Sequence, residues 1–145
     1  MAAARVKIMK MKIKIIIKNT LLHVRHVRLR ISRLEYIYKD ARLFRIHVGT
    51  LVKKYPLEER YALADQTKRA LSSIILNIAE GANRNTHKDA RVYINRSHGS
   101  LDEVIACLDC ALDSSYISDQ EHKAALQMAS SLAKRLRAFA THLAS

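Results

Sequence analysis

The sequence has few residues that turn a chain: three glycines, one proline and no tryptophan among 145 residues. A β-sandwich or barrel needs a turn about every 8–12 residues. The scarcity disfavours both and fits long helices joined by few loops. Cysteine is scarce too. Cys107 and Cys110 are too few for a disulfide framework, and a reducing compartment is the default reading. No apolar run approaches the roughly 18 residues needed to span a bilayer. The run at residues 15–17 is far shorter than the apolar core of a secretory signal. Acidic residues are missing from the first 33 positions, which carry ten Lys/Arg. An acid-free basic start also resembles an organellar transit peptide, and that reading stays open.

Signatures of catalysis are missing as well. "CLDC" at residues 107–110 has the CxxC form, but a zinc site needs four ligands and no second Cys pair or HxxxH exists. A thioredoxin-like reading needs a βαβ context that is lacking. The simpler reading is a pair of free thiols, of which a buried one acts as a small hydrophobe. The seven histidines are scattered, and none is placed with a Ser or Cys to suggest a triad. A di-iron bundle would need Glu-x-x-His motifs, and a phosphate loop would need clustered glycines. Neither occurs. The expectation is a protein that is not an enzyme and has no metal or cofactor.

What is present is a large apolar fraction, 49%, enough for a real core, and a formal charge of +13. The charge is unevenly spread. Residues 1–33 have a net of +10, while residues 34–145 carry sixteen Lys/Arg against thirteen Asp/Glu, a net of +3. Residues 1–33 alternate weakly in "KIKIIIK" and "HVRHVRLRIS". A lone strand or hairpin is marginal in water, so they read as a flexible basic arm. Met9 or Met11 could also be the true start.

From Leu34 the period becomes helical. Ile37, Ala41, Phe44, Val48, Leu51 and Tyr55 step alternately by four and three, an apolar stripe facing a partner helix. Pro56 ends it. A second helix is expected to start near Leu57 or Glu58, with Glu58 and Glu59 at the positive end of its dipole. "THKD" at residues 86–89 reads as a capping box, followed by the stripe Ala90, Ile94, Ser97, Leu101, Val104, Leu108. Ser118 with Glu121 is a second capping box, followed by Ala125, Ala129, Leu132, Leu136, Phe139 and Leu143. Helices at about 34–55, 57–82, 86–112 and 118–144, with short connections, predict an all-α, up-down-up-down antiparallel four-helix bundle preceded by the basic arm.

Two sets of polar residues stand out. Gln66, Arg69, Ser73, Asn77 and Glu80 form one line along the second helix. Such a line is most often a solvated face. Hemmed in by Ala70, Ile74, Ile75, Leu76 and Ile78, it reads slightly better as a hydrogen-bonded seam against another helix or subunit. Arg84, Lys88, Arg91 and Asn95 step by 4, 3, 4. They fit an ordinary exposed face, or a row contacting phosphates. Lys134, Arg135 and Arg137 suit a helix C-terminus with or without a ligand.

Four stretches occur in order: "YKDARLF" (38–44), "KKYPLEERYALADQTKRA" (53–70), "NIAEG" (77–81) and "GSLDE" (99–103). Together they resemble the four-helix-bundle family of proteins encoded in intervening sequences of bacterial large-subunit rRNA genes. Accessory variability determinant proteins of diversity-generating retroelements are similar relatives. The family pattern has a proline and a small residue before "NIAEG". Ile75 and Leu76 stand there instead, so no kink is expected.

The resemblance implies a bacterial or phage-like origin, a cytoplasmic location and a homopentameric, barrel-like assembly. For the retroelement relatives it also implies a reverse-transcriptase partner and basic surfaces for nucleic acid. The functional expectation is therefore a homo-oligomeric bundle that binds RNA or DNA, as accessory to a reverse transcriptase or another nucleic-acid enzyme, and does not enter membranes. Arg84, Lys88, Arg91, Lys134, Arg135 and Arg137 would contact phosphates. Gln66, Arg69, Ser73, Asn77 and Glu80 would lie at a helix or subunit interface. The alternative is a structural or protein-interaction module with no role for nucleic acid.

Overall fold

The computed structural model describes residues 28–144, with side chains from residue 33 onward. The remainder of the expected basic arm, residues 1–27, lies outside the described residues. Helix α1 spans Arg28–Val52, so the first helix starts inside the stretch expected to be arm. Its predicted stripe, Ile37 to Tyr55, is buried throughout. The helix closes on turn bonds from the Lys54 and Tyr55 amides to the Leu51 and Val52 carbonyls, 2.9 and 3.2 Å. Pro56 then turns the chain outward in an extended conformation.

The second helix starts later than expected. Leu57–Tyr61 form a 3₁₀ turn with no buried residue; Leu57 and Tyr61 are 84% and 85% exposed. No residue of this turn enters the core, and Ala62, at φ −117° and ψ −111°, separates it from α2, Leu63–Ala82. The carboxylates expected to open the helix do serve it, from outside. Glu59 Oε2 accepts from the Leu63 amide at 3.0 Å, satisfying one of the donors left over at a helix start. Helix α2 then runs without interruption through Ile75 and Leu76.

Gly81, on the last turn of α2, sits against α3. A Cβ there would lie 3.3 Å from both the Ala90 carbonyl oxygen and Tyr93 Cβ. Thr86 caps α3, His87–Asp113, by accepting from the Asp89 amide at 3.0 Å. The Asp89 carboxylate accepts from the Thr86 hydroxyl (2.6 Å), where the expected box has it reaching the backbone. The α3 stripe from Ala90 to Leu108 is buried, including Ser97, which donates to the Ile74 carbonyl at 3.0 Å. Ser115 takes a left-handed conformation, φ 59°. The Tyr116 amide reaches back to Ala111 O at 2.9 Å and the Ser115 amide to Leu112 O at 2.8 Å, satisfying terminal carbonyls as a Schellman-type end does. Helix α4, Asp119–His142, opens with the full capping box of Ser118 and Glu121.

Cross-helix contacts set the directions. Asp40, midway along α1, pairs with Arg135 in the second half of α4 (2.9 Å), and Lys54 after α1 pairs with Glu121 at the start of α4. Ser73 of α2 meets Ser100 of α3 (2.8 Å), while Gln66 reaches Glu103. His122 of α4 meets Asp109 of α3 at 2.7 Å. Each sequential pair is antiparallel, and all four helices contribute to one apolar core. This is the expected four-helix bundle.

Candidate nucleic-acid interface

The polar line on α2 is divided between two tasks. Gln66 donates to the Glu103 carboxylate, and Ser73 shares a hydrogen bond with Ser100, so these two stitch α2 to α3 inside one chain. Asn77 Nδ2 donates to the Ser73 carbonyl (2.8 Å) and hydroxyl (3.1 Å). Arg69 stays on its own helix, against Gln66 Oε1 (2.9 Å) and Asp65 Oδ2 (3.3 Å). Glu80 pairs with Arg84 one turn on. The structure thus gives Gln66, Ser73 and Asn77 partners within the protomer and leaves Arg69 and Glu80 on the exposed side.

The six expected phosphate contacts, Arg84, Lys88, Arg91, Lys134, Arg135 and Arg137, all lie at one end of the bundle, where α2 ends, α3 begins and α4 ends. They are not equivalent. Arg84 is held by Glu80, by the Glu80 carbonyl (3.1 Å) and over the Tyr93 ring (4.6 Å). Arg135 pairs with Asp40. Among the described residues Lys88, Arg91, Lys134 and Arg137 enter no ion pair, and all four are exposed. Arg91 and Arg137 line one groove between α3 and α4, with Asn95, His98 and Thr141. Arg96 extends the basic surface toward α2, its guanidinium 5.1 Å from the Tyr93 ring.

The charge of α3 and α4 is segregated lengthwise. Residues 87–98 and 132–142 carry six Lys/Arg against the single acid Asp89. Residues 99–113 and 119–131 carry six Asp/Glu against the single base Lys123. On α4 this order follows the macrodipole, which favours anions at the start and cations at the end. On α3 it runs against the macrodipole, with Lys88 and Arg91 near its positive end and Asp109 and Asp113 near its negative end. It also sets cations of adjacent helices side by side. Apart from Asp89 in its first turn, the order on α3 is the opposite of the one the macrodipole favours.

Sequence reasoning missed Tyr93, Arg96 and His98. His98 was legible as the next member of the row Arg91, Asn95, His98, stepping by four and three. The partners of Tyr93 depend on how α2 returns beside α3. The two cysteines diverge on α3: Cys107 is buried and Cys110 exposed. Burial pushes the Cys107 thiol up from its ordinary range, which removes thiolate character. Burial likewise raises Tyr55, whose hydroxyl lacks a hydrogen bond; the nearby Thr67 hydroxyl donates to Leu63 O at 2.7 Å. Tyr116 is raised chiefly by donating to Glu59 Oε1 at 3.0 Å. Among the described residues no helix is long and apolar enough to cross a membrane, and no three His, Cys, Asp or Glu gather as metal ligands.

No curated protein matches this chain. Its fold is similar to a crystal structure of a protein of unknown function from the S23 ribosomal protein family of Bacteroides thetaiotaomicron. That likeness has a TM-score of 0.69 at 17% identity and covers 75% of this chain and 98% of that one. Residues 35–138 match the family described as 23S rRNA-intervening sequence protein. That span runs from the first turns of α1 almost to the end of α4 and takes in all of α3: the chain belongs to the 23S rRNA-intervening sequence protein family.

Proposed function

We propose that this protein is a non-enzymatic, homo-oligomeric, cytoplasmic bundle that binds RNA or DNA through the basic end of α3 and α4. It would act as an accessory to a larger nucleic-acid enzyme such as a reverse transcriptase. The observation that carries the reading is the placement of Lys88 and Arg91 against the dipole of α3, beside Lys134 and Arg137 of α4. Cations kept where they repel one another and the helix end are expected where an outside polyanion neutralises them. The family description, which refers to 23S rRNA, favours RNA. The pentamer follows from the family resemblance alone.

A second reading, a protein-interaction module, is favoured by Tyr36, Leu43 and Ile46 on the outer side of α1, 62%, 55% and 48% exposed. Titration of labelled RNA and DNA with the full chain and with residues 28–145, across a salt series, separates the two. Both proteins are expected to bind with affinity that falls as salt rises, by a slope of about 0.7 per single-strand phosphate contacted. If residues 28–145 show no salt-dependent binding, the bundle is not the nucleic-acid surface and the interaction module stands.

A further inference from the structure

Resting on the nucleic-acid reading, we infer that the groove between α3 and α4 seats one backbone phosphate of a single strand, which crosses the basic end of the bundle transversely. The rim is cationic from both helices, with Arg91 on one side and Arg137 on the other. The groove is lined by small residues, Gly99 and Ala140, and a Cβ built on Gly99 would meet nothing within 4 Å. There is room for a ligand group where a larger side chain would fill the space. His98 adds a polar atom that lacks a partner. Its Nδ1 lies 3.4 Å from Asp102 Oδ2, and Nε2, on the opposite edge of the ring, is buried without a hydrogen bond. A phosphate oxygen seated in the groove would give it a partner when that nitrogen carries the ring proton.

The acidic half of α3 decides the direction. Asp102 lines the same groove, about three turns from Arg91, or roughly 16 Å at 1.5 Å per residue. Beyond it lie Asp109 and Asp113. A strand laid along the helices would bring its phosphates beside these carboxylates, so one phosphate fits the groove and the next must leave sideways. Sideways, over the exposed Val92 and Asn95, the path meets Arg96 and Tyr93 on the α2 side. The planar guanidinium of the exposed Arg96 there suits an unstacked base, which a duplex does not present.

The test uses the full chain and a fluorescein-labelled RNA of mixed sequence, single-stranded or annealed to its complement, titrated across a salt series. Gly99→Leu fills the groove without changing charge. Arg91→Ala with Arg137→Ala removes the rim, and Lys53→Ala with Arg60→Ala removes as much charge at the opposite end. The first two are each expected to weaken single-strand binding about tenfold, the rim pair also lowering the salt slope by roughly 1.4. The distal pair should bind as the parent does. Melting curves check folding, and Asn95→Leu, from an exposed position in the groove lining, replaces Gly99→Leu if that variant melts early. If the groove-filling variants bind normally while the rim pair is weakened, or if the duplex binds tighter than the strand, the phosphate seat is overturned and the nucleic-acid reading survives. If the unsubstituted chain shows no salt-dependent binding at all, the nucleic-acid reading itself fails.

Discussion

Gly81 and Gly99 both lie within helices, yet they make opposite demands. At Gly81 the α3 backbone and Tyr93 stand 3.3 Å from where a Cβ would be; at Gly99 nothing is within reach. Alanine in a helix interior gains about 1 kcal/mol over glycine. Gly99→Ala should therefore raise the melting temperature. Gly81→Ala, on the last turn, gains less propensity and must push α3 away, and overpacking costs about 1–3 kcal/mol, so it should lower the melting temperature. Thermal denaturation of the two variants beside the parent checks the sign of each. A glycine at position 81 is legible in sequence as a helix-ending signal. Its role as a close-approach point is not, because that depends on a neighbour carried by another helix.

At the scale of elements, capping chemistry sets where helices start. Glu121 closes the box with Ser118, accepting the Ser118 amide at 3.0 Å, and pairs with Lys54 after α1. The Lys54 hydrogen bond, followed by the Ser118 amide, holds its carboxyl below the usual glutamate range. A carboxyl depressed in the folded state contributes stability above its unfolded pKa and loses it as pH falls through the folded value. Glu121→Gln should therefore melt earlier than the parent at neutral pH, and the gap should narrow below about pH 4.3. A gap that persists unchanged at pH 3 would show that shape matters here more than charge. Ser118→Ala removes the cap itself and should cost about 1 kcal/mol at any pH. The caps at Thr86 and Ser118 were legible because their partners are three residues away. The start of α2 was not. It depends on Leu57–Tyr61 sending no side chain into the core and on Glu59 capping Leu63 from the preceding turn.

For the whole molecule, the polar line of α2 and the apolar outer face of α1 bear on assembly in different ways. Gln66, Ser73 and Asn77 have partners inside one chain, so their burial needs no second subunit. Tyr36, Leu43 and Ile46 have no such cover. An oligomer built on that face should dissociate when Leu43→Asp and Ile46→Asp are combined. Light scattering of the parent is expected to give the mass of five chains and of the double variant a smaller one. A monomeric parent would remove the pentamer from the proposal and leave the bundle intact.

The sequence by itself determined three apolar stripes and a fourth, largely apolar helix, hence the bundle and its antiparallel order, because helical periodicity and short connections are local properties of the chain. It also singled out six cations by their spacing along the chain. Only the tertiary structure decided that those cations share one end, that Arg84 and Arg135 are already engaged, and that Arg91 and Arg137 face each other over a groove with Gly99 and Ala140 in its lining. Electrostatic contacts join residues far apart in sequence. Their partners are set by which helix returns beside which, and in what register, and no spacing within a single helix records that.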